Sequence, residues 1–314
     1  MRPLLQLRTI ILPHSQHLRW QATWRWWLLA LTAVALSGCS AIRVVYNQAP
    51  TALYWWVDGY ADLDDAQSAQ LRQDMDRFAA WHRRSELPAN AGLLKQWQAM
   101  ATRDLSGEQA CAQYQDVRAS LVRLIDQGHE PLARLALQMT PAQLQHLERH
   151  QTKSNQNFEK DFLRGNAQQR LDARVERLVD RYESLYGTLS VHQVALVRQG
   201  MKESPFDAQR SLEQRRTRQR ELLALIRQLQ ASQPNGPPPG APVPQAAADA
   251  VRGWLLRGLL TTSASPGSPA TPWLRHGCEA YAALHNSTTP EQRTHAQGVL
   301  QGYEGDLRAL AATD

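Results

Sequence analysis

Between Gln109 and Gln127 the apolar residues Ala110, Tyr114, Val117, Leu121 and Leu124 recur at steps of three and four. That spacing gathers them into one stripe along a helix. Leu171, Val175, Leu178, Tyr182 and Leu185 repeat the pattern further on. Alternating β-branched runs are scarce, while Ala, Leu, Gln, Arg and Glu abound, so helix is predicted almost throughout. A helix entered at Pro50 puts Leu53, Trp56, Val57 and Tyr60 on one face and sends Tyr54 and Trp55 elsewhere. A segment apolar nearly all round predicts a first helix buried on most sides. The alternative for these aromatics is an interfacial belt, where Trp and Tyr settle at headgroup level.

One local pattern returns five times: LDDAQ at Leu63, LSGEQ at Leu105, MTPAQ at Met139, LSVHQ at Leu189 and TTPEQ at Thr288. Each places Asp, Ser or Thr three residues before Gln, the arrangement of a capping box, so each predicts a helix start. Pro141 and Pro290 fall at the first helical position, where a missing N–H costs nothing. Met139 with Leu144 and Leu189 with Val194 are placed to act as hydrophobic staples. The spacings are irregular, which excludes a solenoid. Two Pro/Gly-rich stretches, at about 232–245 and 261–272, read as surface loops.

The ends change the picture of where this fold works. The first 38 residues contain Arg2, Arg8, Arg19 and Arg25, no acid, and then the apolar run Trp26 to Leu36. That is the layout of a secretory signal peptide, with an apolar run too short to span a bilayer. LSGC closes the segment at Cys39 and resembles the lipobox of bacterial lipoproteins. The resemblance implies that the Cys39 thiol carries diacylglycerol and that the new amine is acylated, usually with palmitate. Several acyl chains on one cysteine anchor a protein where a single chain does not. Ser40 follows, and by resemblance to enterobacterial sorting rules this implies the outer membrane. Residues 39–49 then read as a lipidated tether and 50–314 as a single helical domain. Ten residues or so, fully extended, reach ~35 Å, so the body stays near its membrane. Without the four leader arginines the formal charge falls from +6 to +2, which removes any case for nucleic acid. Cys111 and Cys278 remain in an exported chain. They either pair, as an oxidising compartment favours, or sit apart as small buried apolar residues.

Candidate chemistry is sparse. No G-x-S-x-G elbow, P-loop or G-x-G-x-x-G is present. His146 and His150 share a helix face, but HLERH lacks the metalloprotease order and an obvious third ligand. A solvated helix face accounts for the pair, and no metal or other cofactor is expected beyond the lipid on Cys39. WHRR at Trp81 to Arg84 reads as cations at a helix end. Arg170, Arg174, Arg177 and Arg181 form a stripe on one face of one helix. Like charges in line repel unless something neutralises them. Two readings follow: partner acids on an adjacent helix, Glu159 and Asp161 in NQNFEKDF, or an anionic ligand such as lipid phosphate, lipopolysaccharide or an acidic peptide.

Two family resemblances bear on function. The five-residue pattern resembles the LTxxQ motif of periplasmic Spy-type stress chaperones, for which a capping box is also a sufficient physical reason. YNQAPTALYWWVDGYADLDDAQ, WHRRSELP, MTPAQLQHLERHQTKSNQNFEKDFL and LHNSTTPEQR together resemble the DUF6279 family of proteobacterial lipoproteins, a group of unknown function. That resemblance runs from about Val45 to the C-terminus and implies a periplasm-facing helical lipoprotein with no catalytic residues to carry over. The expected architecture is all-α, an irregular bundle of roughly ten helices behind a cleaved lipoprotein signal peptide. The expected role is non-enzymatic: binding or scaffolding an envelope protein or anionic lipid at the periplasmic side of the outer membrane. A Spy-type chaperone and an unrecognised envelope hydrolase are the alternatives.

Overall fold

The computed structural model describes residues 41–233, 241–260 and 271–313. The expected signal peptide, Cys39 and most of both Pro/Gly-rich loops lie outside the described residues. Every regular element among the described residues is helical. The chain divides into two units, residues 1–46 and 47–314. Of the first, residues 41–46 are described and are helical, with Val44 and Val45 exposed.

Among the described residues eleven α-helices follow in order: α1 (Ala41–Ala61), α2 (Asp65–Trp81), α3 (Leu87–Ala101), α4 (Gly107–Gln138), α5 (Pro141–Phe162), α6 (Ala167–Tyr186), α7 (Val191–Glu203), α8 (Ala208–Ser232), α9 (Gln245–Leu260), α10 (Pro272–Asn286) and α11 (Pro290–Ala311). A π-helical turn, His82–Glu86, joins α2 to α3. WHRR is therefore not a helix end: the chain stays helical through it. The turn carries Glu86, 2% exposed, whose carboxylate accepts from Arg123 Nε at 2.8 Å and Nη2 at 2.9 Å. A bidentate pair of this kind satisfies a carboxylate that burial would otherwise penalise.

At 32 residues α4 is the spine, about 48 Å long at 1.5 Å per residue. It packs against α2, α8, α9 and α10, while α3 runs along α11. One core surrounds the C-terminal end of α4. There Ala133, Ala136 and Leu137 meet Leu144 and Leu147 of α5, Ile226 of α8 and Val251 of α9. A second core joins Ala101 of α3, Val175 and Tyr186 of α6, Val197 of α7, Leu284 of α10 and Ala296 of α11. The staple residues Met139 and Leu144 belong to the first core, Leu189 and Val194 to the second.

All five predicted helix starts carry capping boxes, at Asp64, Ser106, Thr140, Ser190 and Thr289. A sixth, Asn166 with Gln169, starts α6. Four of the glutamines do more, because the starts dock in pairs. Gln67 Nε2 donates to the Gln138 carbonyl at 3.1 Å, and Gln143 Nε2 donates to the Asp62 carbonyl at 2.8 Å. The two amides also meet each other, with Gln143 Nε2 2.6 Å from Gln67 Oε1. Far along the chain, Gln193 Nε2 donates to Ser287 O at 3.0 Å and Gln292 Nε2 to Thr188 O at 2.9 Å. In each case the accepting carbonyl belongs to the residue five before the partner glutamine. Each glutamine thus caps its own helix with Oε1 and clasps its partner's approach strand with Nε2. At the remaining start, Asn286 serves instead, giving and taking with the Leu105 backbone at 2.9 and 2.8 Å.

The first helix differs from expectation in two respects. The stretch expected as a tether, 39–49, is helical from Ala41, and Pro50 lies inside α1. A proline removes one donor, yet the same residue at a first position is equally acceptable, so the sequence alone does not separate the two cases. Nor is α1 buried on most sides. Its buried residues are Tyr54 and Ala61, whereas Trp55 and Trp56 are 60% and 59% exposed.

Candidate functional site

The arginine stripe lies on α6, and the short loop from α5 sets where it begins. Gly165 has φ of +81°, and a Cβ there would stand 2.6 Å from Gln169 Oε1, so the turn requires glycine. Asn166 then caps α6, and Arg170 Nη1 donates back to the Gly165 carbonyl at 2.5 Å. Opposite, α7 ends at Glu203 and α8 begins after Asp207, whose carboxylate accepts from Arg210 N at 3.0 Å.

Between these elements lies a groove of about 470 Å³. Arg170, Arg174 and Lys202 supply its cations, Phe162, Leu171, Met201 and Phe206 its apolar wall, and Asp207 one carboxylate. The Arg174 guanidinium lies 4.8 Å from the Phe206 ring centre and donates to Met201 Sδ at 3.7 Å. Arg177 lies 5.0 Å from the Phe162 ring centre, and Arg181 stands exposed beyond the groove. Burial, and then the neighbouring Arg177, holds the Arg174 pKa below the usual guanidinium value.

Of the two expected partner acids, Glu159 and Asp161, the first binds Arg216 at 2.6 Å, and among the described residues neither is paired with a stripe arginine; Asp172, on α6 itself, binds Arg198 at 2.5 Å. Among the described residues, none of Arg170, Arg174, Arg177 and Arg181 makes an ion pair with a carboxylate. The neutralising-acid reading is thereby corrected: Arg174 and Arg177 lie over Phe206 and Phe162, and Arg170 donates to the Gly165 carbonyl. Arg164, Lys160, Gln156 and the Glu159–Arg216 pair line an adjoining depression of about 540 Å³, with Leu163 and Gln209 common to both.

The histidine pair has a structural role. His146 Nε2 lies 2.9 Å from the Gly59 carbonyl, and the His150 ring sits 4.0 Å from Tyr60. Both are half-buried against α1, so the solvated-face reading holds only in part. Among the described residues no group of three or more His, Cys, Asp or Glu is placed to hold a metal ion. Cys111 of α4 and Cys278 of α10 form a disulfide, with Cα atoms 5.3 Å apart.

A buried polar relay escaped the sequence reading. Tyr186 and His285 are nearly inaccessible, with Tyr186 Oη 2.8 Å from His285 Nδ1 and 3.2 Å from Tyr281 Oη. His285 Nε2 lies 2.8 Å from the Arg103 carbonyl, which requires that nitrogen to be the donor. In the neutral imidazole Nδ1 is then the acceptor, taking the hydrogen bond from Tyr186, and Tyr281 donates to Tyr186. Burial lowers its pKa. Burial, with Tyr281 alongside, pushes Tyr182 up to about 12. The relay borders a mainly apolar hollow of about 360 Å³ lined by Trp97, Tyr186, Tyr281 and Tyr303.

A family model described as a family of unknown function (DUF6279) matches residues 59–235. The matched segment runs from the end of α1 past α8 and contains the first glutamine clasp, the arginine stripe and the groove. No curated protein and no solved structure matches the chain. Spanning more than half of its length, the match makes this chain a member of the DUF6279 family.

Proposed function

We propose that the chain is a non-enzymatic, lipid-anchored binding protein on the periplasmic side of the outer membrane, and that its α6–α7–α8 groove takes an anionic lipid headgroup. The carrying observation is that Arg170, Arg174 and Arg177 make no ion pair with a carboxylate among the described residues, while Arg174 and Arg177 lie over Phe206 and Phe162. Guanidinium groups without a carboxylate keep their donors for phosphate, and a fork of donors fits phosphate well. Phe162, Leu171, Met201 and Phe206 give the first carbons of an attached chain an apolar wall. The lipobox-like LSGC at Cys39 supports the anchor. The Cys111–Cys278 disulfide supports an oxidising compartment.

The test is calorimetric titration of the Cys39→Ala chain, free of any anchor, with short-chain phosphatidylglycerol and with phosphatidylcholine. Binding is expected for the first lipid only, weakened tenfold or more in Arg170→Ala/Arg174→Ala, a loss of about 1.4 kcal/mol per decade. Equal binding of the two lipids, or no effect of the substitutions, removes the reading. Radiolabelled palmitate incorporation, lost in Cys39→Ala, tests the anchor separately.

A further inference from the structure

We infer that the outer face of α1 between Asn47 and Gly59 lies in the interface of the bilayer that holds the anchor; this rests on the lipidation at Cys39 proposed above. Every exposed residue of that stretch is uncharged. Three of them are large and apolar: Leu53 at 43%, Trp55 at 60% and Trp56 at 59% exposure. A helix on the surface of a water-soluble bundle normally turns charge outward. Here the one acid of the segment, Asp58, accepts from Leu63 N at 3.0 Å at the helix end. Tyr54 is buried against Leu71 and Met75, and Tyr60 rests on His150. The inner side of the helix is thus already used, and the side left outward is the one that water solvates worst.

The chemistry identifies the occupant. Indole rings settle at headgroup depth, where an apolar body meets a wet rim. Arg72 of α2 supplies the cation that such a site uses against lipid phosphate: its guanidinium lies 3.5 Å from the Tyr54 ring centre and 5.9 Å from that of Trp55. No helix among the described residues is long and apolar enough to cross a membrane, so the contact inferred for α1 runs along the bilayer surface and not through it. Chain length allows it: Cys39 stands eight residues before Asn47, at most about 28 Å even if extended. Acyl chains already hold the protein, so the aromatic face sets orientation more than affinity.

The experiment uses the full processed chain in phosphatidylethanolamine–phosphatidylglycerol vesicles containing brominated phospholipids. Mass spectrometry of the mature N-terminus accompanies it. A lipidated Cys39, with tryptophan quenching that persists at high salt and drops in Trp55→Gln/Trp56→Gln, is the expected result. Circular dichroism checks the fold of that variant, and Trp56→Gln alone carries the same reading should the pair unfold. A lipidated protein whose quenching is unchanged by the substitutions overturns the inference and leaves the anchor standing. An N-terminus without lipid overturns both. Efficient cross-linking between Trp56→Cys chains on the vesicle, with no quenching in the parent, assigns the face to a second copy and also overturns it.

Discussion

His285 is 1% exposed, its Nε2 donating to the Arg103 carbonyl and its Nδ1 meeting Tyr186 Oη. Burial depresses its pKa below the ordinary 6.5, and burial does the same at His82 and His150. The sign follows directly. Below pH 6.5 the unfolded chain binds a proton at these positions and the folded chain resists it, so stability falls as the medium is acidified. Each such histidine contributes a slope of at most about 1.4 kcal/mol per pH unit. Urea unfolding at pH 7.5, 6.5 and 5.5 is expected to show little change over the first interval and a clear loss over the second. A His285→Gln chain is expected to show a shallower loss. None of this was legible in WLRHGCEAYAALHN, because Tyr186, which fixes the histidine, stands 99 residues away. The stripe arginines show the converse: their common face followed from spacing, but their neighbours did not. Glu159 looked like a partner from sequence proximity and instead serves Arg216, 57 residues on.

At the scale of elements, helix starts were the most legible feature. A capping box is local chemistry, complete within four residues, and all five predicted boxes form. Their pairing was invisible, since the same glutamine serves either a lone cap or a clasp. Gln67→Ala and Gln143→Ala are each expected to cost about 1–3 kcal/mol, through a lost cap and a part-buried carbonyl deprived of its donor. Because each amide also contacts the other, the double variant is expected to lose less than the sum, by about 0.5 kcal/mol or more in a double-mutant cycle. Additive losses would show that the clasp does not couple the two starts. The first helix was least legible. Pro50 marks a start or an interior equally well, and a segment apolar all round predicts burial only when the rest of the chain has surface to spare for it.

For the whole molecule, periodicity and composition carried the all-α class, because helical stripes are a property of short windows. What they left open was which stripes meet. One core draws on α4, α5, α8 and α9, the other on α3, α6, α7, α10 and α11. The Cys111–Cys278 bond spans 167 positions and joins α4 to α10 beside the second core. Closing so long a loop in the unfolded chain is worth about 4–5 kcal/mol in the chain-entropy model. Reduction, or Cys111→Ala/Cys278→Ala, is expected to lower the urea midpoint accordingly. An unchanged midpoint would mean that the unfolded ensemble is already constrained. The clasps also imply an order of events in time. Gln67 and Gln143 are both present once the first half of the chain has been made, so the first clasp can close while later helices are still emerging. Gln193 must wait 99 residues for Gln292, with its amide and the Thr188 carbonyl dependent on water until then. Of the two clasps, the one that ties α7 to α11 is therefore the last to close, and α7 is the helix start left longest without its partner.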